Sequence, residues 1–234
     1  MAHSPNVPVV ISFSGLDGAG KTTQIENLRT ALESAGLKTS LLTFWDDVVV
    51  GVKYREGFVH KVYKSERGIG APGKPVARRD KNVRAWYLTL ARYMLYLADS
   101  LSLRQVLARA KKSGVGVIIV DRYIYDELVN LDLNQAVARN FVRWVRALVP
   151  QPDISFLLDA DPKAAYARKP EYPVDFMRKC RESYFTLASI LGSMTVIPPL
   201  ELPSAKAAVL DAAEQKLIAL KRAGPVVEGG LYAA

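Results

Sequence analysis

A glycine-rich octapeptide between two apolar segments constrains the fold of this chain more than any other feature. Residues 15–22 read Gly-Leu-Asp-Gly-Ala-Gly-Lys-Thr, which fits the pattern G-x-x-x-x-G-K-[ST]. Val7 to Phe13 precede it as a continuous apolar run typical of a buried strand, and Lys21 to Ala35 follow as an amphipathic helix closed by Gly36. A chance match is the alternative. The strand–loop–helix context favours a loop whose backbone N–H groups bind phosphate.

Two side chains of this loop suit the chemistry of a polyphosphate. Lys21 is expected to reach the β- and γ-phosphates of a nucleotide, and the Thr22 hydroxyl to ligate Mg²⁺. The helix that begins at Lys21 would add the positive end of its dipole to the same site.

Apolar segments and helical patterns alternate along the rest of the chain. The other predicted strands are Thr39–Phe44, Val115–Val120, Ile154–Leu158 and Met194–Ile197. The predicted helices cover about Lys81–Lys112, Leu133–Val149, a short segment after Pro162, a segment ending near Leu191, and Ser204–Arg222. This alternation predicts an α/β fold with a five-stranded parallel sheet and helices on both faces.

The length of 234 residues fits one large domain or two small ones, and no convincing linker divides the chain. We predict one domain over residues 1–223 with a flexible insertion near 46–80, followed by a loose tail at 224–234. The longest predicted helix carries an apolar stripe at helical spacing, which we expect to face the core. Its members are Trp86, Leu90, Met94, Leu97 and Leu101.

The composition excludes several classes of protein. A single cysteine, Cys180, cannot form an internal disulfide, and two histidines give no zinc-binding pattern. No apolar run approaches the roughly 20 residues of a membrane span, and the first residues lack the pattern of a secretory signal. These features predict a cytoplasmic protein that does not bind membranes. The net charge of +9 favours an anionic partner, such as a polyphosphate or nucleic acid.

A second polar group follows the third predicted strand. Asp121 and Arg122 come directly after an apolar run, and ligands of open α/β sheets bind beyond the carboxyl ends of the strands. Asp121 could hold Mg²⁺ or its water, and Arg122 could bind an anionic acceptor. An ion pair at the strand end is the alternative.

Several segments resemble the thymidylate kinase family of nucleoside monophosphate kinases. Residues 13–24 are similar to the phosphate loop of that family, and residues 121–123, Asp-Arg-Tyr, to its motif after the third strand. Leu158 to Pro162, followed by Arg168, resembles its fourth strand and the start of its lid. The end of the lid and the next helix are represented in order by Glu171, Phe176, Arg178 and Tyr184.

This resemblance spans about residues 7 to 222. It implies a P-loop kinase fold, ATP and Mg²⁺ as co-substrates, and a homodimer. The catalytic residues it implies are Lys21, Arg122 and Arg168, the last on a short lid near 168–175. The implied nucleotide-binding residues are Gly15, Asp17, Gly18, Ala19, Gly20, Lys21, Thr22 and Thr23. Thr22 and Asp121 are the implied metal ligands. A solvated helix end is the alternative for Arg168.

The acceptor region departs from the family pattern. The family carries an arginine after its second strand, where this chain has Thr43 to Asp47 and reaches its next cations only at Lys53 and Arg55. On the long helix, residues 99–100, Asp-Ser, occupy the place of the family's base-binding arginine. A carboxylate cannot donate to a thymine carbonyl, so we expect thymidylate to be a poor acceptor.

We predict that one face of the long helix lines the acceptor pocket. Arg92, Tyr96 and Asp99 share this face by their spacing, with Tyr96 stacking on the base, and Arg122 binds the acceptor from the strand side. A surface ion-pair face is the alternative. Aromatic residues among basic ones near Trp45 to Tyr63 could instead suggest nucleic-acid binding, which we regard as the weaker interpretation.

The sequence thus predicts ATP- and Mg²⁺-dependent phosphoryl transfer to a nucleoside monophosphate. Two alternatives remain open at this point. The chain could phosphorylate another acceptor, such as a nucleoside or a sugar phosphate, or it could be an ATP-binding regulatory protein without turnover.

Overall fold

The computed structural model describes residues 7–51 and 86–222, without the side chains of residues 86–88, 221 and 222. Most of the predicted insertion, the cations Lys53 and Arg55, the Trp86 side chain and the tail at 224–234 therefore lie outside the described residues. The prediction of a single domain stays a prediction.

The described part of the chain contains five strands and seven α-helices. The strands are β1 (Val9–Gly15), β2 (Thr39–Thr43), β3 (Val117–Asp121), β4 (Ile154–Leu158) and β5 (Met194–Ile197). The helices are α1 (Lys21–Ser34), α2 (Trp86–Ala110), α3 (Tyr125–Leu128), α4 (Ala136–Leu148), α5 (Pro162–Arg168), α6 (Val174–Leu191) and α7 (Leu202–Arg222). A five-residue π-helix, Phe44–Val48, follows β2.

All five strands are parallel and lie in the order β2-β3-β1-β4-β5. Phe13 of β1 is paired with Asp121 of β3 on one side and with Phe156 of β4 on the other. The register therefore places the carboxyl ends of β1 and β3 next to each other. The predicted five-stranded parallel sheet is confirmed.

Helices cover both faces of this sheet, because side chains alternate along each strand. On β1, Ile11 and Phe13 pack into a core formed with α1 and α7. Val10 of the same strand points to the opposite core, which includes residues of α2, α3, α4 and α6. The near-continuous apolar runs of the sequence follow from this double coverage.

Most predicted boundaries agree with the structure to within a few residues, and β4 and β5 agree at both ends. Two elements were not predicted, namely the π-helix after β2 and the four-residue helix α3. Phe44, predicted as the last residue of a strand, instead begins the π-helix and is fully buried.

The predicted core-facing stripe on the long helix is wrong. Leu90, Met94 and Leu101 are 53%, 59% and 46% exposed, and Leu97 is half-buried. The buried positions of α2 are instead Tyr96, Asp99, Ser100, Leu103 and Leu107. Two of these positions are polar, and internal hydrogen bonds satisfy them, so a pattern based on apolar residues alone selected the wrong face.

Within residues 7–51 and 86–222, no helix combines the length and the apolar character needed to cross a membrane.

Candidate active site

The glycine-rich loop lies at the carboxyl edge of the sheet, between the end of β1 and the start of α1. A Cβ atom on Gly15, at φ +142°, would lie 2.4 Å from the Leu158 carbonyl oxygen, and one on Gly18, at φ +79°, would lie 2.5 Å from that of Ala165. These close approaches explain why the loop needs glycine at both positions. They also place the loop against the end of β4 and against α5.

Lys21, the first residue of α1, points back into this loop. Its Nζ donates to the carbonyl oxygens of Gly15 at 2.9 Å and Leu16 at 2.8 Å, and the residue is only 7% exposed. Burial, followed by the positive charge of Arg122, lowers the pKa of Lys21 to about 8. Lys21 is therefore a buried residue whose ammonium group is enclosed by the loop's own backbone.

The first turn of α1 presents polar groups to solvent. Thr22 and Thr23 are exposed, and no side chain of the described residues caps the helix N-terminus, where Gly20 adopts a left-handed conformation at φ +88°. Uncapped N–H groups at a helix N-terminus favour an anion. The loop therefore has the geometry of a phosphate-binding site.

Asp121 ends β3 beside the loop. Its Oδ1 atom is buried and has no hydrogen-bond partner within the described part of the chain. Burial raises the pKa of this carboxyl group, while the charges of Lys21 and Arg122 oppose that shift. A carboxylate oxygen without a partner is a suitable ligand for Mg²⁺, which prefers oxygen donors.

Arg122 has a backbone conformation that only glycine adopts readily. Its φ is +66°, the only positive value for a non-glycine residue among those described. Its backbone N–H donates to the Phe13 carbonyl oxygen at 2.9 Å, and its guanidinium group contacts both the Asp17 carboxylate and, at 3.1 Å, that of Asp126. Burial opposes the charge of Arg122, but Asp126 and Asp17 hold its pKa above the ordinary value.

Arg168 lies at the end of α5, next to the loop. Its Nε donates to the Gly18 carbonyl oxygen at 2.8 Å, and its side chain is exposed. Asp161 begins this helix by accepting from the backbone N–H groups of Lys163 and Ala164 at 3.0 and 2.9 Å. The N-terminal cap and the packing at Gly18 together direct the last turn of α5 toward the loop.

The residues predicted to contact the acceptor lie on α2. Tyr96 is buried, and its hydroxyl is hydrogen-bonded to the Glu127 carboxylate; burial first, and then Glu127, raise its pKa. Asp99 is fully buried and accepts from the Val50 backbone N–H at 2.9 Å. Arg92 is half-buried on the same helix. Asp99 therefore holds the segment that follows the π-helix.

The structure brings several predicted residues together at the loop. Asp17, Lys21, Asp121 and Arg122 lie close enough for their charges to shift one another's pKa values. Arg168 contacts the same loop at Gly18. On α2, Tyr96 is linked to Glu127, which follows Asp126 in α3, and Asp99 is linked to Val50.

Sequence reasoning missed Asp126, a buried residue of α3. Its carboxylate accepts from Ser14 Oγ at 2.6 Å and from the Tyr184 hydroxyl at 2.7 Å, in addition to Arg122. Two signals could have indicated it. Asp126 follows Arg122 by four residues, and Asp126 and Glu127 form an acidic pair within an apolar run.

The chain is similar in sequence to known proteins of one family. The family model of thymidylate kinase matches residues 82–198, which is half of the chain. A probable thymidylate kinase of Methanosphaera stadtmanae is 26% identical over 181 residues, covering 76% of this chain and 82% of that protein. A thymidylate kinase of Bifidobacterium longum subsp. infantis is 27% identical over 191 residues, covering 76% and 73%.

A solved structure shows the same fold. The crystal structure of thymidylate kinase from Ehrlichia chaffeensis superposes with a TM-score of 0.54 at 16% identity, covering 88% of this chain and 98% of that one. These findings do not favour the alternatives of a different acceptor class or a regulatory protein. The chain belongs to the thymidylate kinase family and is a phosphotransferase of the nucleoside monophosphate kinase class.

Proposed function

We propose that this enzyme transfers the γ-phosphoryl group of ATP, with Mg²⁺, to the phosphate of a nucleoside monophosphate at the carboxyl edge of β1 and β3. One observation carries the proposal. A glycine-rich loop lies beside the charged groups of Lys21, Asp121 and Arg122, which are close enough to shift the pKa of Lys21. The helix that follows this loop has no side-chain cap at its N-terminus among the described residues.

The loop supplies the phosphate-binding groups. Backbone N–H groups of the loop and of the first turn of α1 bind the phosphates, involving Gly15, Asp17, Gly18, Ala19, Gly20, Lys21, Thr22 and Thr23. The Lys21 ammonium group, which contacts the carbonyl oxygens of Gly15 and Leu16, would donate to the β- and γ-phosphates of bound ATP. An anionic phosphate stabilises this charge more strongly than neutral carbonyl groups do.

Thr22 and Asp121 are the proposed ligands of Mg²⁺. The unpartnered Asp121 Oδ1 and the exposed Thr22 side chain offer the oxygen donors that this cation prefers. When bound, Mg²⁺ neutralises charge on the phosphate oxygens.

Arg122 and Arg168 are the proposed source of positive charge around the transferred group. Arg122 binds the acceptor from the strand side, and Arg168 acts from the lid near 168–175. An acceptor phosphate is already an anionic nucleophile, so the site needs no strong general base. Alignment and charge stabilisation therefore carry the catalysis. We propose that the part of the acceptor pocket that contacts the nucleoside is lined by three residues of α2, Arg92, Tyr96 and Asp99.

We also propose that the enzyme is a homodimer. The exposed residues Leu90, Met94 and Leu101 and the half-buried Leu97 lie on one face of α2, hereafter the α2 stripe, which extends over about 17 Å at 1.5 Å per residue. A contiguous apolar surface of this kind marks an interaction site more often than a solvated face. A second copy is the occupant that the family resemblance implies. The cytoplasmic location stays a prediction.

An acceptor screen tests the proposed function. Release of ADP from ATP is measured with each common nucleoside monophosphate, nucleoside and sugar phosphate, over a series of Mg²⁺ concentrations. We expect ADP release only with a nucleoside monophosphate present. ADP release that is independent of every acceptor, or binding of ATP without turnover, would contradict the proposal.

Two variants test the metal site within the same assay. We expect Asp121→Asn to raise the Mg²⁺ concentration for half-maximal rate by about tenfold or more. Asp153→Asn is the matched control, because Asp153 accepts from the Val10 backbone N–H at the other end of β1. An unchanged Mg²⁺ requirement in Asp121→Asn would remove Asp121 from the metal site.

A further inference from the structure

Asp126 is a buried carboxylate that receives hydrogen bonds from three different elements of the site. Its Oδ2 accepts from Ser14 Oγ at 2.6 Å and from the Tyr123 backbone N–H at 3.2 Å. Its Oδ1 accepts from the Arg122 guanidinium group at 3.1 Å and from the Tyr184 hydroxyl at 2.7 Å. Four donors from β1, the β3–α3 segment and α6 thus converge on one side chain.

We propose that Asp126 is a positioning residue for phosphoryl transfer, which fixes the guanidinium group of Arg122 at the edge of the sheet. This inference rests on the proposed role of Arg122 in binding the acceptor. Asp126 itself is buried behind the loop, and we assign it no contact with the substrates.

The conformation of Arg122 explains why such support is needed. Its backbone lies in the left-handed region, which for a non-glycine residue costs roughly 1–2 kcal/mol. A residue in this conformation persists only where its surroundings hold it. The Phe13 carbonyl holds the backbone N–H of Arg122, and Asp126 holds the guanidinium group.

The two carboxylates that contact Arg122 have different surroundings. The Asp17 side chain is 24% exposed and belongs to the loop, whereas that of Asp126 is 2% exposed and belongs to α3. A nucleotide that binds the loop approaches Asp17 directly and leaves Asp126 covered. Asp126 is therefore the partner suited to keep Arg122 in place while the substrates enter and leave.

Tyr184 extends this arrangement to α6. Its hydroxyl contacts Asp126 Oδ1 at 2.7 Å and the Gly15 carbonyl oxygen at 3.3 Å. Gly15 also accepts from Lys21. The Tyr184 hydroxyl thus contacts Asp126, which binds Arg122, and the Gly15 carbonyl, which binds Lys21. Helix α6 is therefore connected to both proposed catalytic cations.

A double-mutant cycle distinguishes positioning from a merely structural role. Asp126→Asn, Arg122→Ala and the double variant are compared by kcat and by KM for ATP and for the best acceptor found in the screen. We expect Asp126→Asn to lower kcat/KM for the acceptor by about tenfold or more, with KM for ATP within about threefold of the parent. In the Arg122→Ala background, the same substitution should change kcat/KM by less than about twofold.

Asp153→Asn is the control in both backgrounds. It also removes a carboxylate that accepts a long-range hydrogen bond, but at the opposite edge of the sheet, so its effect should be small and independent of Arg122. Thermal unfolding of every variant reports whether the fold is retained. If Asp126→Asn fails to fold, Tyr184→Phe replaces it in the cycle, because its hydroxyl reaches Arg122 through Asp126.

The outcomes separate this inference from the proposed function. The positioning role would be overturned if Asp126→Asn lowered kcat/KM for the acceptor by the same factor in the parent and in Arg122→Ala. A parental kcat/KM in Asp126→Asn alone would also overturn it. A parental kcat/KM in Arg122→Ala would instead overturn the role of Arg122 on which it rests. The same cycle measured on the dissociation constant of the acceptor, by calorimetry without ATP, needs no turnover and should show the same non-additivity.

Discussion

Arg168 donates from Nε to the Gly18 carbonyl oxygen across 2.8 Å, although 150 positions separate the two residues in the sequence. The contact joins the last turn of α5 to the phosphate loop, where the absence of a Cβ on Gly18 allows the Ala165 carbonyl to approach. The proposed lid arginine thus lies beside the loop. We expect a movement of its exposed side chain to bring its charge onto a transferred phosphoryl group.

We expect Arg168→Ala to lower kcat far more than it raises KM for ATP, because an interaction made mainly in the transition state affects kcat. Loss of one such charge should reduce kcat by ~10²–10³. Steady-state kinetics with the best acceptor measure both constants. Lys163→Ala, an exposed cation on the same helix, is the control. A change confined to KM for ATP would make Arg168 a ground-state contact.

We expect Lys21→Ala to reduce phosphoryl transfer by ~10²–10³, equivalent to about 3–4 kcal/mol of transition-state stabilisation. The fold should survive, because the two carbonyl groups that Lys21 contacts keep other donors: the Tyr184 hydroxyl for Gly15 and the Ala19 backbone N–H for Leu16. Thermal unfolding and circular dichroism check the fold, with the exposed Lys112→Ala as control. Activity within tenfold of the parent would contradict the role of Lys21.

The affinity for ATP should fall as the pH rises from about 7 to 9. Lys21 has a pKa of about 8 in the nucleotide-free chain, whereas bound phosphates favour the charged ammonium group, so binding near pH 8.5 must take up a proton. Calorimetry in buffers of different ionisation enthalpy measures that uptake. Lys21→Arg should abolish it, because arginine stays charged. An affinity independent of pH would show that Lys21 is not the titrating group.

The same pKa has a defined effect on the stability of the nucleotide-free protein. The ordinary pKa of lysine, 10.5, lies above the folded value, so the unfolded chain binds more protons between about pH 8 and 10.5. The contribution of Lys21 to the free energy of unfolding therefore increases with pH across that window. Denaturant unfolding at several pH values measures this free energy. Between about pH 8 and 10.5 it should increase more steeply with pH in the parent than in Lys21→Met.

The α2 stripe should mediate dimer formation. We expect the parent to sediment as a dimer and Met94→Glu to shift it toward monomer, because a buried, unpaired charge opposes association. Analytical ultracentrifugation over a range of concentrations measures the shift. Leu202→Glu, on an exposed leucine at the start of α7, is the matched control and should leave the dimer intact. A monomeric parent would contradict the proposal.

Thymidylate should be a poorer acceptor than at least one other nucleoside monophosphate. Asp99 is fully buried and already accepts from the Val50 backbone N–H, and a carboxylate has no donor for a pyrimidine carbonyl, so we expect it to disfavour such a carbonyl nearby. Steady-state rates at saturating ATP and Mg²⁺ decide the matter. Fast thymidylate turnover with all other acceptors far slower would contradict this prediction and would favour Arg92 as the contact to the base or phosphate.

The fold follows closely from local patterns in the sequence. Val9–Gly15 and Ile154–Leu158 are predominantly apolar because both faces of each strand are covered, and glycines allow the loop that joins β1 to α1. These signals depend on neighbouring residues, so they can be read without knowledge of the tertiary structure. The family resemblance rests on the same local motifs, and the comparisons confirm it.

Long-range contacts account for what local patterns missed. The buried face of α2 contains Asp99, which is acceptable in a core because the Val50 backbone N–H, 49 positions away, donates to it. Its neighbour Ser100 donates to the Tyr96 carbonyl of the same helix. No periodicity in residues 86–110 carries that information.

The surroundings of the charged groups depend on the tertiary structure in the same way. Lys21 is recognisable from its motif, but its pKa is lowered by burial and by the charge of Arg122, about 100 residues away. Asp126 receives its hydrogen bonds from Ser14, Arg122 and Tyr184, which come together only when β1, β3 and α6 pack. Residue type and local spacing therefore identify the phosphate loop, whereas desolvation and charge pairing, which depend on distance in space, determine the state of its charged groups.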